Sequence, residues 1–101
     1  MSVVTNIIIT TWLEEPGMHR LNAAMNRIKR GDSFNEVSDH CGGTKAMEAH
    51  VWLGAFNHLN LDDFWSCMRI ADLEYPEDVR VFIQQQEEEH FSPAVRPEAV
   101  A

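Results

Sequence analysis

The chain has 101 residues, of which 45% are hydrophobic and 24% charged, and a formal net charge of −8. That length suits one domain with a modest core. The negative balance excludes ordinary phosphate-backbone binding, which needs clustered lysine and arginine.

The opening MSVVTNIII has neither the basic segment nor the small-residue cleavage site of a secretory leader. No apolar run approaches the roughly 20 residues of a membrane helix. The expectation is a cytoplasmic protein in which Cys41 and Cys67, lacking CxxC spacing, are free thiols.

Val3 to Leu13 is rich in β-branched residues and predicts a strand near 3–12. Its Ile7–Ile9 triplet suggests burial on both faces and a central place in a sheet. Glu14 to Gly17 breaks the strand, with Pro16 suited to a turn or a first helical turn. Met18, Leu21, Met25 and Ile28 then fall at helical spacing, which predicts a helix near 17–30. Arg27, Lys29 and Arg30 complement its C-terminal dipole and Gly31 stands where a terminating glycine would. That helix end is reason enough for the three bases without a nucleic-acid role.

Phe34 to Asp39 predicts a second strand, near 33–39, with Val37 inward. Gly42 and Gly43 permit the positive φ of a tight hairpin turn. From 46 to 57 two alternating sets can be read, which is the period of a strand. Met47, Ala49, Val51, Leu53 and Ala55 are uniformly apolar and are expected to face the core. Glu48, His50, Trp52, Gly54 and Phe56 are mixed and are expected outside. Asn60 reads as an N-cap, Asp62 and Asp63 suit the first turn, and Leu59 with Phe64 has hydrophobic-staple spacing. Leu61, Phe64, Trp65, Met68 and Ala71 form one stripe of a helix near 61–72. Tyr75 precedes Pro76 and is biased to be extended. Val79, Val81 and Ile83 alternate with Arg80, Phe82 and Gln84, a fourth strand near 79–86. A Gln/Glu run follows, and 92–101 reads as a flexible tail to a domain spanning 1–91.

The order is strand, helix, strand, strand, helix, strand. It predicts an α+β, ferredoxin-like βαββαβ fold, a four-stranded antiparallel sheet with both helices on one face. The expected core is Ile7, Ile9, Leu21, Met25, Ile28, Val51, Leu53, Phe64, Met68, Val81 and Ile83. Trp52 and Phe56 would then stand on the open face, where the alternative is that the tail or the Gln/Glu run covers them.

Chemistry is sparse. His40, Cys41 and His50 are weak metal candidates, because His40 and Cys41 would point apart on a strand and His58 lies too far along from His50. Cys41 with His40 or His50, beside Lys45, lacks a third orienting group for a nucleophile. CGGTK is not the GxxxxGK[ST] phosphate loop, and the carboxylates have no EF-hand spacing. No cofactor, no metal and no enzymatic activity are expected.

The acid is uneven: Asp72, Glu74, Glu77, Asp78, Glu87, Glu88, Glu89 and Glu98 stand against only Arg80 and Arg96 from residue 72 onward. With aromatic anchors at Trp52 and Phe56, this predicts a non-enzymatic acidic interaction module. Its partner-binding residues would be Trp52, Phe56, Glu74, Glu77, Asp78, Glu87, Glu88 and Glu89, and its partner a protein with a basic surface. A small inhibitor of a nucleic-acid-handling complex, of the phage anti-defence type, is one such protein. The alternatives are a small-molecule or metal-binding enzyme at the His40/Cys41/His50 hairpin, and a homodimer formed through the open sheet face. Direct nucleic-acid binding and membrane association are not expected.

Overall fold

The computed structural model describes residues 3–38, 42–45 and 47–94. The fold is α+β. Strand β1 (Val4–Thr11) leads into helix α1 (Glu15–Ile28), followed by the short β2 (Asn35–Glu36), β3 (His50–Asn57), helix α2 (Leu61–Ala71), a 3-10 turn at Pro76–Asp78, β4 (Arg80–Gln85) and β5 (Ser92–Ala94). The five strands form one antiparallel sheet in the order β2-β3-β1-β4-β5. The expected count of four strands is thus corrected. Ser92–Ala94, read from sequence as the start of the tail, pairs with Val81–Ile83. The remainder of that tail, 95–101, lies outside the described residues.

The Ile7–Ile9 triplet does mark a central strand, since β1 is paired on both sides. Along it Thr5, Ile7, Ile9 and Thr11 are buried in strict alternation. Both helices contribute to the single core against that face: Met18, Leu21, Ala24 and Met25 from α1, and Phe64, Trp65, Cys67, Met68 and Ala71 from α2. α2 starts where its signals place it. The Asn60 side chain accepts a hydrogen bond from the Asp63 amide at 3.2 Å, and Leu59 packs against the core. α1 is shifted toward the N-terminus, with Pro16 in its first turn. Its last residue, Ile28, expected in the core, is 54% exposed.

β2 and β3 pair antiparallel, but only through Asn35↔Leu53 and Glu36↔Trp52. Residues 37–49 lie between them, and β3 begins at His50, not near 46; Asp39 to Cys41 and Ala46, part of the expected hairpin, lie outside the described residues. The central correction concerns the parity of β3. Trp52 is 5% and Phe56 2% exposed, whereas Leu53 is 40% exposed. Trp52 and Phe56 are core residues beneath the helices; Leu53, Val51 and Ala55 belong to the open face, and Met47 is exposed too. Gly54 shows how the aromatics fit. A methyl group there would lie 2.4 Å from the Phe56 ring and 3.1 Å from Phe34, so the missing side chain is the space into which Phe56 folds. Phe34 and Phe56 then meet edge to face with ring centres 5.0 Å apart.

Two polar clamps hold the helical layer. Glu14, buried at the α1 N-terminus, accepts from the backbone amides of Glu74 (3.1 Å) and Tyr75. Arg20 donates to the carbonyls of Ala71 (2.7 Å) and Asp72 (3.2 Å), neutralising the C-terminal end of α2. On the other flank the Asn22 side chain pairs with both backbone groups of Phe34, donating to its carbonyl at 3.1 Å and accepting from its amide at 2.7 Å. Asn22 therefore stands in for a missing neighbour strand along the outer edge of the chain entering β2.

Candidate functional site

Two surfaces have the concentration of chemistry that a site requires, one on each side of the sheet. On the open side the register aligns Leu53, Ile8, Phe82 and Pro93 in one row across β3, β1, β4 and β5. Three strand spacings make that row about 14 Å long. The neighbouring row is Ala55, Asn6 and Gln84, with the Asn6 side-chain amide donating to Gln84 Oε1 at 3.2 Å. The row on the other side is Val51, Thr10 and Arg80. The result is an apolar band bordered by polar and mixed rows. Phe91, Leu53, Gly54, Ala55, Ile8 and Asn35 line a shallow groove of about 510 Å³ over it. Phe91 thus lines the open face; the alternative of a tail or Gln/Glu run covering Trp52 and Phe56 does not apply, because those two residues are buried on the other face.

The expected acidic residues do not gather beside this band as one cluster. Glu74, Glu77 and Asp78 are exposed before β4, and Glu87, Glu88 and Glu89 are exposed after it. The strand between them spans roughly 20 Å, so they form two acidic ends. Glu88 is partly committed, its side chain accepting from the Gln85 amide at 2.7 Å.

On the helical side an open cleft of about 480 Å³ lies between the first turns of α1 and the β2–β3 edge. It is lined by Glu15, His19, Asn22, Phe34, Asn35, Glu36, His50 and Trp52. β2, the residues just after it and β3 supply an ordered trio: Glu36 Oε2 accepts from Ser38 Oγ and is 2.8 Å from His50 Nδ1, while Ser38 Oγ accepts from the Val51 amide at 3.1 Å. The Ser38 hydrogen bond, and next the His50 one, hold the Glu36 carboxyl below its usual pKa. α1 supplies a looser pair, His19 Nε2 and Glu15 Oε1 at 3.6 Å, and His19 stands edge-on to the Trp52 ring at 6.1 Å. Trp52 Nε1 and Thr11 Oγ1 are buried without a hydrogen-bond partner, and Thr11 lies opposite His50 in the β1–β3 register.

This trio is not a hydrolytic triad. Ser38 and His50 both bond the same carboxylate oxygen, so the imidazole is not placed to take the Ser38 proton. Of the candidates read from the sequence, His50 is here, while His40 and Cys41 lie outside the described residues. Cys67 is buried in the core, where desolvation, with the Asp63 charge, pushes its thiol pKa up and away from nucleophilic use. Among the described residues no three His, Cys, Asp or Glu side chains converge as metal ligands. No helix among them is long and apolar enough to cross a membrane.

Glu15, His19 and Glu36 were not singled out from sequence. Their convergence depends on the β2–β3 register and on α1 crossing that edge. The i, i+4 spacing of Glu15 and His19 is the one local signal. Compared with known proteins, the chain matches no family model, no curated protein and no solved structure.

Proposed function

We propose that the chain is a ferredoxin-like βαββαβ unit with one added edge strand, and that it works as a non-enzymatic interaction protein docking on another protein through its open sheet face. The observation that carries this is the row Leu53, Ile8, Phe82 and Pro93, an apolar band on a sheet face without helices, with Leu53 40% exposed. Contiguous apolar surface edged by polar residues is what protein interfaces are made of.

The charge around the band selects the partner. Arg80 is the one charged side chain in the three rows, and the acidic ends lie beyond β4 at either side. A partner with an apolar centre and basic flanks complements both features, and opposite charge at the rim speeds encounter. A second copy would bring its own acidic ends. If the basic flanks belong to a nucleic-acid groove, occupying it inhibits that complex, the mode of action expected of an anti-defence protein.

The test compares the wild type with Leu53→Asp, in capture from host lysate at low and high salt and in sizing by light scattering. A partner retained at low salt, released by high salt and lost with Leu53→Asp supports the reading. A salt-resistant homodimer that Leu53→Asp breaks replaces it with self-association. Capture unaffected by Leu53→Asp overturns the open face as the docking surface.

A further inference from the structure

The cleft beside β2 stands apart from the open face, and its chemistry calls for a ligand of its own. We propose that it is a binding site for an arginine side chain presented by a peptide, the guanidinium lying between Glu15 and Glu36 and a peptide carbonyl accepting from the Trp52 indole. The site needs no occupant on the open face.

Charge decides the sign of the ligand. Glu15 and Glu36 face the cleft from α1 and β2, and no lysine or arginine lines it. Arg20 is occupied at the end of α2, and Lys29 donates to the Asn57 carbonyl. Hydrogen bonds from Ser38 and His50 fix the Glu36 carboxylate and favour its charged form. An anion would find no fixed cation here. A guanidinium finds two carboxylates. The floor of Phe34 and Trp52 is apolar and buried, and gives the aliphatic part of the arginine side chain a surface to lie on. A volume of about 480 Å³ lies within the range of small-ligand clefts.

The second feature is independent of charge. Trp52 lines the cleft, is 5% exposed, and its indole N–H has no acceptor. Buried N–H groups without partners are rare and call for one. A free guanidinium offers no acceptor, whereas a peptide carries carbonyls next to its side chain. His19, edge-on to the Trp52 ring and 65% exposed, is the group that turns aside to let the carbonyl in.

The experiment titrates the protein with a capped glycyl-arginyl-glycine peptide, its neutral citrulline counterpart and free arginine, following the Trp52 indole proton by NMR with Trp52→Phe as the assignment control. The arginine peptide is expected to shift that proton and to bind about tenfold more tightly than the citrulline peptide, the worth of one charge-assisted hydrogen bond. Free arginine should bind more weakly, because its own carboxylate meets Glu15 and Glu36. Glu15→Gln, on an exposed helical turn, is expected to weaken the arginine peptide while preserving the fold. Leu53→Asp is expected to leave it unchanged, which separates this site from open-face docking. Equal affinity for arginine and citrulline peptides, or an unmoved Trp52 proton at saturation, overturns the assignment.

Discussion

The two faces of β3 carry similar numbers of apolar residues and have opposite fates. Trp52 and Phe56 lie under the helices with Gly54 between them, while Val51, Leu53 and Ala55 look out from the open face. Alternation alone does not choose between these sets, and a wrong choice of parity inverts every side chain of the strand. Size decides. Two aromatic rings remove roughly 300–500 Å² from water together, more than a valine, a leucine and an alanine can. The glycine between them also supplies the room that Phe56 occupies.

The largest effect that would break this comparison is a difference in truncation energies. Phe56→Ala is expected to destabilise the protein by about 3–5 kcal/mol, through lost burial and a cavity against Phe34. Leu53→Ala, on the open face, is expected to change stability by less than about 1 kcal/mol. Urea midpoints of the two variants measure this directly. Equal losses would mean that the open face is covered in solution or that the parity is wrong.

These residues also show what was legible beforehand. Both helices, the central β1 and the Asn60 cap could be read because their signals are local: a 3.6-residue stripe, a β-branched run, an amide acceptor before two aspartates. The face of β3 could not. Counting from residue 46 credited Met47 and Ala49 to one apolar set, whereas the strand starts at His50. Within 50–57 the aromatic–glycine–aromatic pattern was the better sign. β5 was hidden for a different reason. It is three residues long and contains Pro93, and what makes it a strand is the exposed edge of β4. Of the cleft only His50 and Trp52 were candidates, because Glu36, Glu15 and His19 are brought to it by pairing and helix crossing.

A middle-sized effect is expected where the helical side is clamped. Glu14→Ala leaves the backbone amides of Glu74 and Tyr75 without their acceptor beneath α1. Unsatisfied buried donors cost about 1–3 kcal/mol. Glu14→Gln keeps an acceptor oxygen and is expected to lose less. If the two variants are equally stable in denaturant, the clamp contributes nothing beyond packing.

A smaller effect, of opposite sign, belongs to the turn where β1 crosses to the helical side. Leu13 has φ of 57°, a left-handed conformation disfavoured for leucine, and its side chain is exposed. Leu13→Asn removes strain without emptying the core and is expected to raise stability by about 0.5–1 kcal/mol. A lowered midpoint would show that the exposed Leu13 side chain makes a contact worth more than the strain.

The finest distinction between the two sides is their response to acid. β2 is held to β3 by two residue pairs and by the Glu36, Ser38 and His50 hydrogen bonds on the helical side. Those bonds lower the Glu36 pKa from its ordinary 4.5. A carboxyl whose pKa falls on folding contributes stability that is present above its unfolded value and disappears as pH drops through the folded value. The contribution of Glu36 is therefore expected in full at neutral pH and is lost below about 4.5. Glu36→Gln cannot ionise, so it should be less stable than the wild type at neutral pH, with the gap closing as the solution is acidified. The same loss should be local. The Val37 amide, which donates to the Val51 carbonyl at 2.8 Å, should exchange faster with solvent in acid, after correction for intrinsic rates. Amides pairing β1 with β4 should keep their protection. A stability gap between wild type and Glu36→Gln that stays constant from neutral to acidic pH would remove the carboxylate from this role and leave β2 held by backbone pairing alone.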